Sequence, residues 1–402
     1  MPRWSELQPL LRPRAAPGDR TERRLARVAS IPDLRLLARR RAPRAVFDYT
    51  DGAAGEEISL RRSRAAFARV EFQPRVLQDV SSIDTSTTIL GSAAALPLVF
   101  APTGFTRLMH TEGEPAVARA AARAAIPYAL STMGTTSIER LAAEVPGVRR
   151  WFQLYLWRDR AASRDFVMRA KQAGYEALVL TVDTPVAGAR LRDVRNGLTL
   201  PPSLSAKTFA EGALHPRWWW DLLTTEPLEF ASLNRFDGTV AQLVGQMFDP
   251  TATVQDVGWL REAWTGPLVV KGVMTAADAR AVVDAGADAV VVSNHGGRQL
   301  DRAPTPLEQL PRVVDAVGDR AEVYVDGGIL SGGDVVAAVA LGARAAMIGR
   351  AYLYGLMAGG ERGVVRATEI LTKEVAGTLA LLGVPRLADV RAEHVLLRPG
   401  VD

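Results

Sequence analysis

One stretch of this sequence concentrates groups that can move a proton beside a small anion: Ser293-Asn294-His295-Gly296-Gly297-Arg298-Gln299-Leu300-Asp301. An imidazole titrates near neutral pH and can serve as a general base. Arg298, three residues on, offers a planar fork that grips a carboxylate as lysine cannot, and Arg190 supplies a second one. A lone histidine more often makes a structural hydrogen bond than it catalyses. The flanking glycines and the second arginine shift the reading of His295 to a base. Two further stretches, Val325-Asp326-Gly327-Gly328 and Ile348-Gly349-Arg350, pair glycine with charge. Glycines there let backbone N–H groups approach a phosphate, and Arg350 can neutralise it. Either pair alone is what an ordinary turn uses. No G-x-G-x-x-G pattern follows a strand-like run, which disfavours a Rossmann dinucleotide site.

Something must bring these groups together. From Leu96 onward, short apolar runs alternate with Ala-, Arg- and Glu-rich stretches of helical period. The runs are 97–104, 126–134, 150–156, 177–185, 268–274, 287–296, 322–329 and 345–351, with helices expected over 114–125, 137–145, 160–173, 276–285 and 333–341. Continuous apolar runs separated by helices indicate parallel strands buried on both faces, and eight such units predict closure into an α/β fold, the (β/α)8 TIM barrel. In that architecture the C-terminal strand ends line the active site. Those ends here carry Thr103, Ser131 and Thr132, Gln153 and Tyr155, Thr181 and Asp183, Lys271, Ser293 and His295, Asp326, and Arg350. A purely structural barrel would not need them.

The flanks are less regular. Residues 1–30 read as a basic N-terminal arm, and Ile31–Ala42 as a helix that ends before Pro43. The barrel domain is expected over 31–395, interrupted after the fourth strand by a long insertion, 186–257, which contains Pro201-Pro202 and His215-Pro216-Arg217-Trp218-Trp219-Trp220. Composition narrows the chemistry. With no cysteine, disulfides, iron–sulfur clusters and thiolate metal sites are excluded, and four histidines argue against a metal centre. The net charge of +5 comes with arginine far outnumbering lysine, but no nucleic-acid motif accompanies it, so no nucleic-acid partner is expected. No run is long and apolar enough to span a bilayer, and residues 1–25 lack the apolar core of a signal peptide, so a cytoplasmic location is expected.

Taken together, Ser293–Asp301, Lys271-Gly272, Phe152-Gln153-Leu154-Tyr155, Thr181-Val182-Asp183-Thr184-Pro185 and Phe47-Asp48-Tyr49 resemble the FMN-dependent 2-hydroxy-acid dehydrogenase/oxidase family over residues 30–395. Gly188–Asp193 and His215–Thr225 are most similar to its bacterial L-lactate dehydrogenases, respiratory enzymes that do not use NAD. The resemblance implies that His295 takes the hydroxyl proton while the Cα hydrogen leaves toward flavin N5, as hydride or by way of a carbanion. It implies that Asp183 orients His295, and that Arg190 and Arg298 clamp the substrate carboxylate. Tyr49 and Tyr155 would hydrogen-bond the substrate, and Lys271 would stabilise the reduced flavin. Thr103, Gly104, Ser131, Gln153, Thr181 and Ser293 would surround the ring, Asp326 would hold the ribityl chain, and Gly327, Gly328, Gly349 and Arg350 the phosphate end. A homotetramer is also implied. Tyr49 precedes the barrel and enters this set on resemblance alone. Residue by residue, Tyr155 and Gln153 also read as barrel-core polar groups, and Asp183 as a turn cap.

The sequence departs from the family at three places. Leu330 stands where relatives often carry an arginine near the phosphate, so Arg350 or another group must compensate. Met133 and Ala187 replace bulkier pocket residues, which opens an aryl hydroxy acid of the mandelate type, or a peptide-derived group, as alternatives to L-lactate. Gly104 resembles the dehydrogenase branch, against an O2-using oxidase. No histidine precedes His110, so a fused haem domain is excluded and a quinone or separate carrier is the expected acceptor. Trp218, Trp219 and Trp220 beside Arg217 suit peripheral contact with the inner face of a membrane, or equally packing onto the barrel rim. A non-catalytic flavin-binding scaffold would have no use for Tyr49, Tyr155, Arg190, Lys271, His295 and Arg298 together.

Overall fold

The computed structural model describes residues 18–197, 215–233 and 248–400. Among the described residues four helices precede the barrel: α1 (Arg20–Leu25), α2 (Ile31–Arg41), α3 (Arg44–Asp51) and α4 (Ile58–Ala68). The α2 start is a capping box in which the Ser30 and Asp33 side chains serve each other's backbone N–H, and the helix stops short of Pro43 as expected. Strand β1 (Val70–Phe72) pairs with the C-terminal β12 (Val395–Leu397), and β2 (Thr87–Ile89) with β3 (Ser92–Ala94) forms a hairpin.

The barrel then runs through β4 (Leu98–Phe100), β5 (Tyr128–Ser131), β6 (Arg150–Tyr155), β7 (Ala177–Thr181), β8 (Leu268–Val273), β9 (Ala289–Val292), β10 (Glu322–Asp326) and β11 (Ala345–Ile348), which pairs back onto β4. Every apolar run read from the sequence carries one of these strands. Each strand is shorter than its run because the last residues leave the sheet to line the mouth. Alternate side chains serve two cores. Val99, Ala129, Trp151, Val179, Val269, Val291, Tyr324 and Met347 fill the barrel interior, whose foot is closed by Ile89 and Ala94 of the hairpin. Phe152, Leu178, Leu180, Val270, Val290 and Val325 face the surrounding helices. Burial on both faces is why the runs read as continuous rather than alternating.

Between the strands lie α5 (Thr106–Met109), α6 (Gly113–Arg123), α7 (Ile138–Glu144), α8 (Arg160–Gln172), α9 (Leu191–Asn196), α10 (Pro216–Leu223), α11 (Gln255–Ala263), α12 (Ala276–Asp284), α13 (Pro306–Val317), α14 (Gly332–Ala340), α15 (Arg350–Gly359) and α16 (Glu361–Leu382). Side-chain caps from Ser137, Asp159, Thr275, Thr305 and Ser331 set the starts of α7, α8, α12, α13 and α14. The sequence reading did not pick out α13, whose interior Pro311 breaks the expected pattern, nor α3 and α4, which carry Tyr49 and much of one cavity wall.

The arm is not free where it is described. Thr21 and Leu25 are buried, with α1 packed on α15 and α16, and Asp19 pairs with Arg362 at 2.5 Å. Residues 1–17 and Pro201-Pro202 lie outside the described residues. The described part of the insertion is fastened to the rim: Arg107 donates to Glu226 O at 2.7 Å, and Phe230 meets Phe105 edge-on at 4.4 Å.

Helices α15 and α16 approach each other closely through glycine. A Cβ on Gly363 would stand 1.9 Å from Gly355 O. Gly363→Ala should therefore lower stability by about 1–3 kcal/mol in thermal unfolding. Gly377→Ala, on the same helix with open space at its Cβ, should leave stability unchanged or raise it by up to about 1 kcal/mol.

Candidate active site

The His295 loop leaves β9 in an unusual conformation. His295, Gly296 and Gly297 take φ of +57°, +62° and +77°, a left-handed run that only glycine adopts without strain. Local hydrogen bonds hold it. Ser293 Oγ accepts from His295 N at 3.0 Å, and Asn294 Oδ1 from Gly297 N at 3.0 Å. The turn brings His295 Nδ1 to 3.0 Å from Asp183 Oδ1, leaving the other ring edge toward a cavity that His295 helps line. Burial pushes the Asp183 carboxyl up, but the facing His295 and Lys271 outweigh it and hold it below its usual value. Asp183 is thus the anion of the pair.

Gln299 couples the two loops. Its amide nitrogen donates to Asp183 O at 3.0 Å and Val186 O at 2.9 Å, while its oxygen accepts from Gly188 N at 3.1 Å. Asp301 works in the other direction, accepting from Glu56 N at 3.0 Å and Ser59 N at 2.8 Å to fix the start of α4.

Cations dominate the cavity. Arg298 donates to Tyr49 O at 2.6 Å and Gly52 O at 3.1 Å, and Arg350 to Thr50 O at 2.9 Å and Gly52 O at 2.7 Å. These are the free carbonyls at the C-terminal end of α3, where the helix dipole is negative and cations are favoured. Arg298 and Arg190 both lie over the Tyr49 ring, at 5.0 and 5.9 Å from its centroid. Burial, then repulsion by Arg190 and Arg350, pushes the Arg298 guanidinium well below its usual value. Arg190 Nε is buried and has no hydrogen-bond partner among the described residues. Such a group awaits an anion. Tyr155, on the same wall, is pushed up by burial and then by the Asp183 charge, so its phenol stays a proton donor.

The cavity encloses about 510 Å³, within the roughly 300–1,000 Å³ of small-molecule sites. Thr103, Gly104, Ser131, Met133, Gln153, Thr181, Lys271, Asp326, Gly327, Gly328, Gly349 and Arg350 line it together with Tyr49, Tyr155, Arg190, His295 and Arg298. Besides Arg190 Nε, the buried polar atoms on these walls without a hydrogen-bond partner among the described residues include Gln153 Nε2, Thr181 Oγ1 and Asp326 Oδ1. Buried polar atoms are rarely left unpaired. An amide donor, a hydroxyl and a carboxylate oxygen are what a flavin ring and its polyol tail would engage. Lys271 Nζ sits 2.8 Å from Asp326 Oδ2 and 2.9 Å from Ser293 Oγ. Burial lowers its value, but Asp326 and Asp183 more than offset this, so the ammonium stays charged. At the far end Gly327 and Gly328 take φ of +89° and +87°, and a Cβ on Gly328 would stand 2.7 Å from Ser63 O. The residues fit FMN.

Two sequence expectations shift in position. Ser293 is fully buried behind Lys271 rather than on the cavity wall, so it acts on a bound ring only through the lysine and the His295 loop. Ala187 is exposed and does not line the cavity, leaving Met133 alone of the two departures in the pocket. Leu330 does line it, and Arg61 and Arg64 of α4 stand on the same wall, with Arg64 donating to Gly328 O at 2.6 Å and paired with Asp334. The tryptophans divide. Trp218 donates to Leu108 O at 3.2 Å and packs on the core, whereas Trp220 is 70% exposed. The Arg217 side chain lies outside the described residues. Arg61, Arg64, Arg192 and Tyr354 were not read from the sequence, since nothing in their spacing sets them apart from surface or core positions.

Thr181→Val removes a hydroxyl without a partner and keeps the shape. FMN titration of the apoprotein, followed by flavin fluorescence, should show affinity reduced by about 5- to 30-fold, roughly 1–2 kcal/mol, with no loss of apoprotein thermal stability.

Comparison with known proteins agrees with the geometry. A family model described as FMN-dependent dehydrogenase matches residues 38–397. A Mycobacterium tuberculosis protein provisionally named L-lactate dehydrogenase is 55% identical over 98% of this chain and 95% of its own. The L-lactate dehydrogenase of Caulobacter vibrioides strain NA1000 is 44% identical over 90% of this chain and 96% of its own. Among solved structures, the monotopic membrane protein (S)-mandelate dehydrogenase superposes with a TM-score of 0.88 at 37% identity, covering 92% of this chain and 100% of that one. A closed eight-stranded barrel, a cavity fitted to FMN and a match across nearly its whole length place this chain in the FMN-dependent dehydrogenase family.

Proposed function

We propose that the protein oxidises L-lactate to pyruvate and passes the electrons to a quinone. The observation that carries the oxidation is the His295–Asp183 pair at 3.0 Å, opening on a cavity that also holds Arg190, Arg298 and Tyr49. A 2-hydroxy acid offers one carboxylate and one hydroxyl. Arg190 and Arg298 bind the carboxylate, with Tyr49 beneath both guanidinium groups. His295 Nε2 accepts the hydroxyl proton, because Nδ1 is committed to Asp183, whose charge stabilises the imidazolium that forms. Tyr155 donates to the oxygen that becomes a carbonyl. Lys271 holds a positive charge against the cofactor pocket. FMN, when bound, would take up the hydrogen lost from Cα together with its two electrons. L-lactate as the substrate is supported by the relatives at 44% and 55% identity.

A second reading, an aryl hydroxy acid of the mandelate type, is favoured by the solved structure at TM-score 0.88 and by Met133, an unbranched residue in the pocket. Anaerobic reduction by L-lactate, D-lactate, glycolate and L-mandelate separates the two. Bleaching fastest with L-lactate supports the first reading, and with L-mandelate the second. A Cβ on Gly104 would stand 2.9 Å from Met133 Cβ, so this wall is fitted to the glycine that set the reading apart from an oxidase.

The quinone reading includes contact with a membrane. Trp220 and Leu223 of α10, and Val182, Val186, Val194 and Leu300 on segments following barrel strands, are exposed apolar residues. Indoles favour the headgroup region. No described helix is long and apolar enough to cross a bilayer. A homotetramer on the inner face of the cell membrane completes the reading, and light scattering tests the assembly.

Three outcomes are expected. His295→Gln should retain FMN and lose at least about 10²-fold in the rate of flavin reduction; bleaching at the wild-type rate would remove His295 as the base. Asp183→Asn should lower kcat, because the imidazolium loses its counter-charge. Trp220→Ser with Leu223→Ser should weaken flotation with anionic liposomes; unchanged flotation would remove α10 as the contact.

A further inference from the structure

The carboxylate clamp is assembled from parts that do not belong to one element. Tyr49 rides on α3, Arg298 follows the His295 loop, and Arg190 immediately precedes α9. The polar link between α9 and α3 centres on one side chain. Arg192 Nη1 stands 3.1 Å from Asp51 Oδ2 and 3.4 Å from Asp48 Oδ1, and Nη2 pairs with Glu57. Asn196, at the end of α9, adds a bond to Asp48 Oδ2 at 2.9 Å.

The node is enclosed. The Asp51 side chain is 5% exposed and those of Asp48 and Glu57 14% each. Asp51 also accepts from Arg35 at 2.5 and 2.9 Å and from the Tyr354 hydroxyl at 2.8 Å, and Arg44 stands 3.5 Å from Asp48. An exposed ion pair contributes little, but the Arg192 side chain, 33% exposed, faces three largely buried carboxylates at once, which fixes geometry, and its removal takes away the one cation they share. Asp48 and Asp51 bracket Tyr49 in sequence, and Arg192 is two residues from Arg190. Drawing the carboxylates onto Arg192 therefore sets how far Arg190 stands from Tyr49 and Arg298.

We propose that Arg192 is a positioning residue for the substrate carboxylate, acting through Asp48, Asp51 and Glu57 on the spacing of Arg190 and Tyr49. The inference rests on the reading of Arg190, Arg298 and Tyr49 as the carboxylate site. Lysine cannot reproduce it, because a single ammonium does not span three carboxylates.

The test uses the FMN-loaded full chain and the 2-hydroxy acid that bleaches it fastest, with oxalate as a non-reacting carboxylate read by its perturbation of the flavin spectrum. Arg192→Gln should raise KM and the oxalate Kd by about tenfold or more, with kcat within about threefold and FMN content unchanged. Arg192→Lys should recover only part of the loss. Asp51→Asn should give a similar rise, and the double variant should be no worse than Arg192→Gln, since the two act through one contact. A lower thermal midpoint with unchanged KM and oxalate binding in both Arg192 variants would overturn the inference, as would a fall in kcat alone. Arg190→Met separates the two levels. If it raises KM while Arg192→Gln does not, the clamp stands and only the positioning role fails. If Arg190→Met also leaves KM unchanged, the carboxylate site itself is misassigned.

Discussion

Mutual repulsion among enclosed cations is the constraint on which the rest of this structure turns. Arg190, Arg298, Arg350 and Lys271 open on one cavity, and their charges cannot relax into water. Desolvating a single ion costs several kcal/mol even after relaxation, so each must be offset nearby. Lys271 is matched by Asp326 and Asp183. Arg298 and Arg350 are matched by no carboxylate at hydrogen-bond distance among the described residues, but by the free carbonyls at the end of α3. What is left over, the buried nitrogen of Arg190 and the depressed guanidinium of Arg298, is an unmet demand for negative charge. The cavity selects anions before any detail of shape is considered.

That constraint explains why the loops are fastened as they are. A base and one guanidinium group on the connection after β9, and a second guanidinium group on the connection after β7, drift apart unless something outside the barrel sheet joins them. Gln299 ties the Asp183 segment to the His295 loop, and Asp301 ties that loop to α4. The left-handed turn at His295 aims the imidazole across the mouth instead of along β9. The backbone strain of that turn is held by the side chains of Ser293 and Asn294, which have no need to touch a substrate.

The barrel was legible because parallel strands covered on both faces leave a run of apolar residues with no alternation to blur it. The strand-end polar residues were legible for the same reason, since a barrel puts them all at one mouth. Tyr49 was not legible from pattern, and only resemblance pointed to it. It sits on a helix outside the repeating units, and its reach into the cavity depends on how α3 packs. Arg61 and Arg64 escaped for a similar reason: on an arginine-rich surface, two more arginines on a helix carry no mark. Ala187 was misplaced because adjacency in sequence to Arg190 does not decide which way a loop residue faces. Ser293 proved one layer deeper than expected, because a residue just past a strand end can point back into the core.

The stretch from Asn294 to Asp301 serves two masters. Asn294, Gln299 and Asp301 brace the architecture, whereas the cavity-facing edge of His295 and the uncommitted nitrogen of Arg190 brace nothing. A diverged copy that had abandoned chemistry would still be under pressure to keep the first three. Intactness of the signature is thus weak testimony that such a descendant remains an enzyme. The telling positions are the two side chains that turn a polar edge to the cavity.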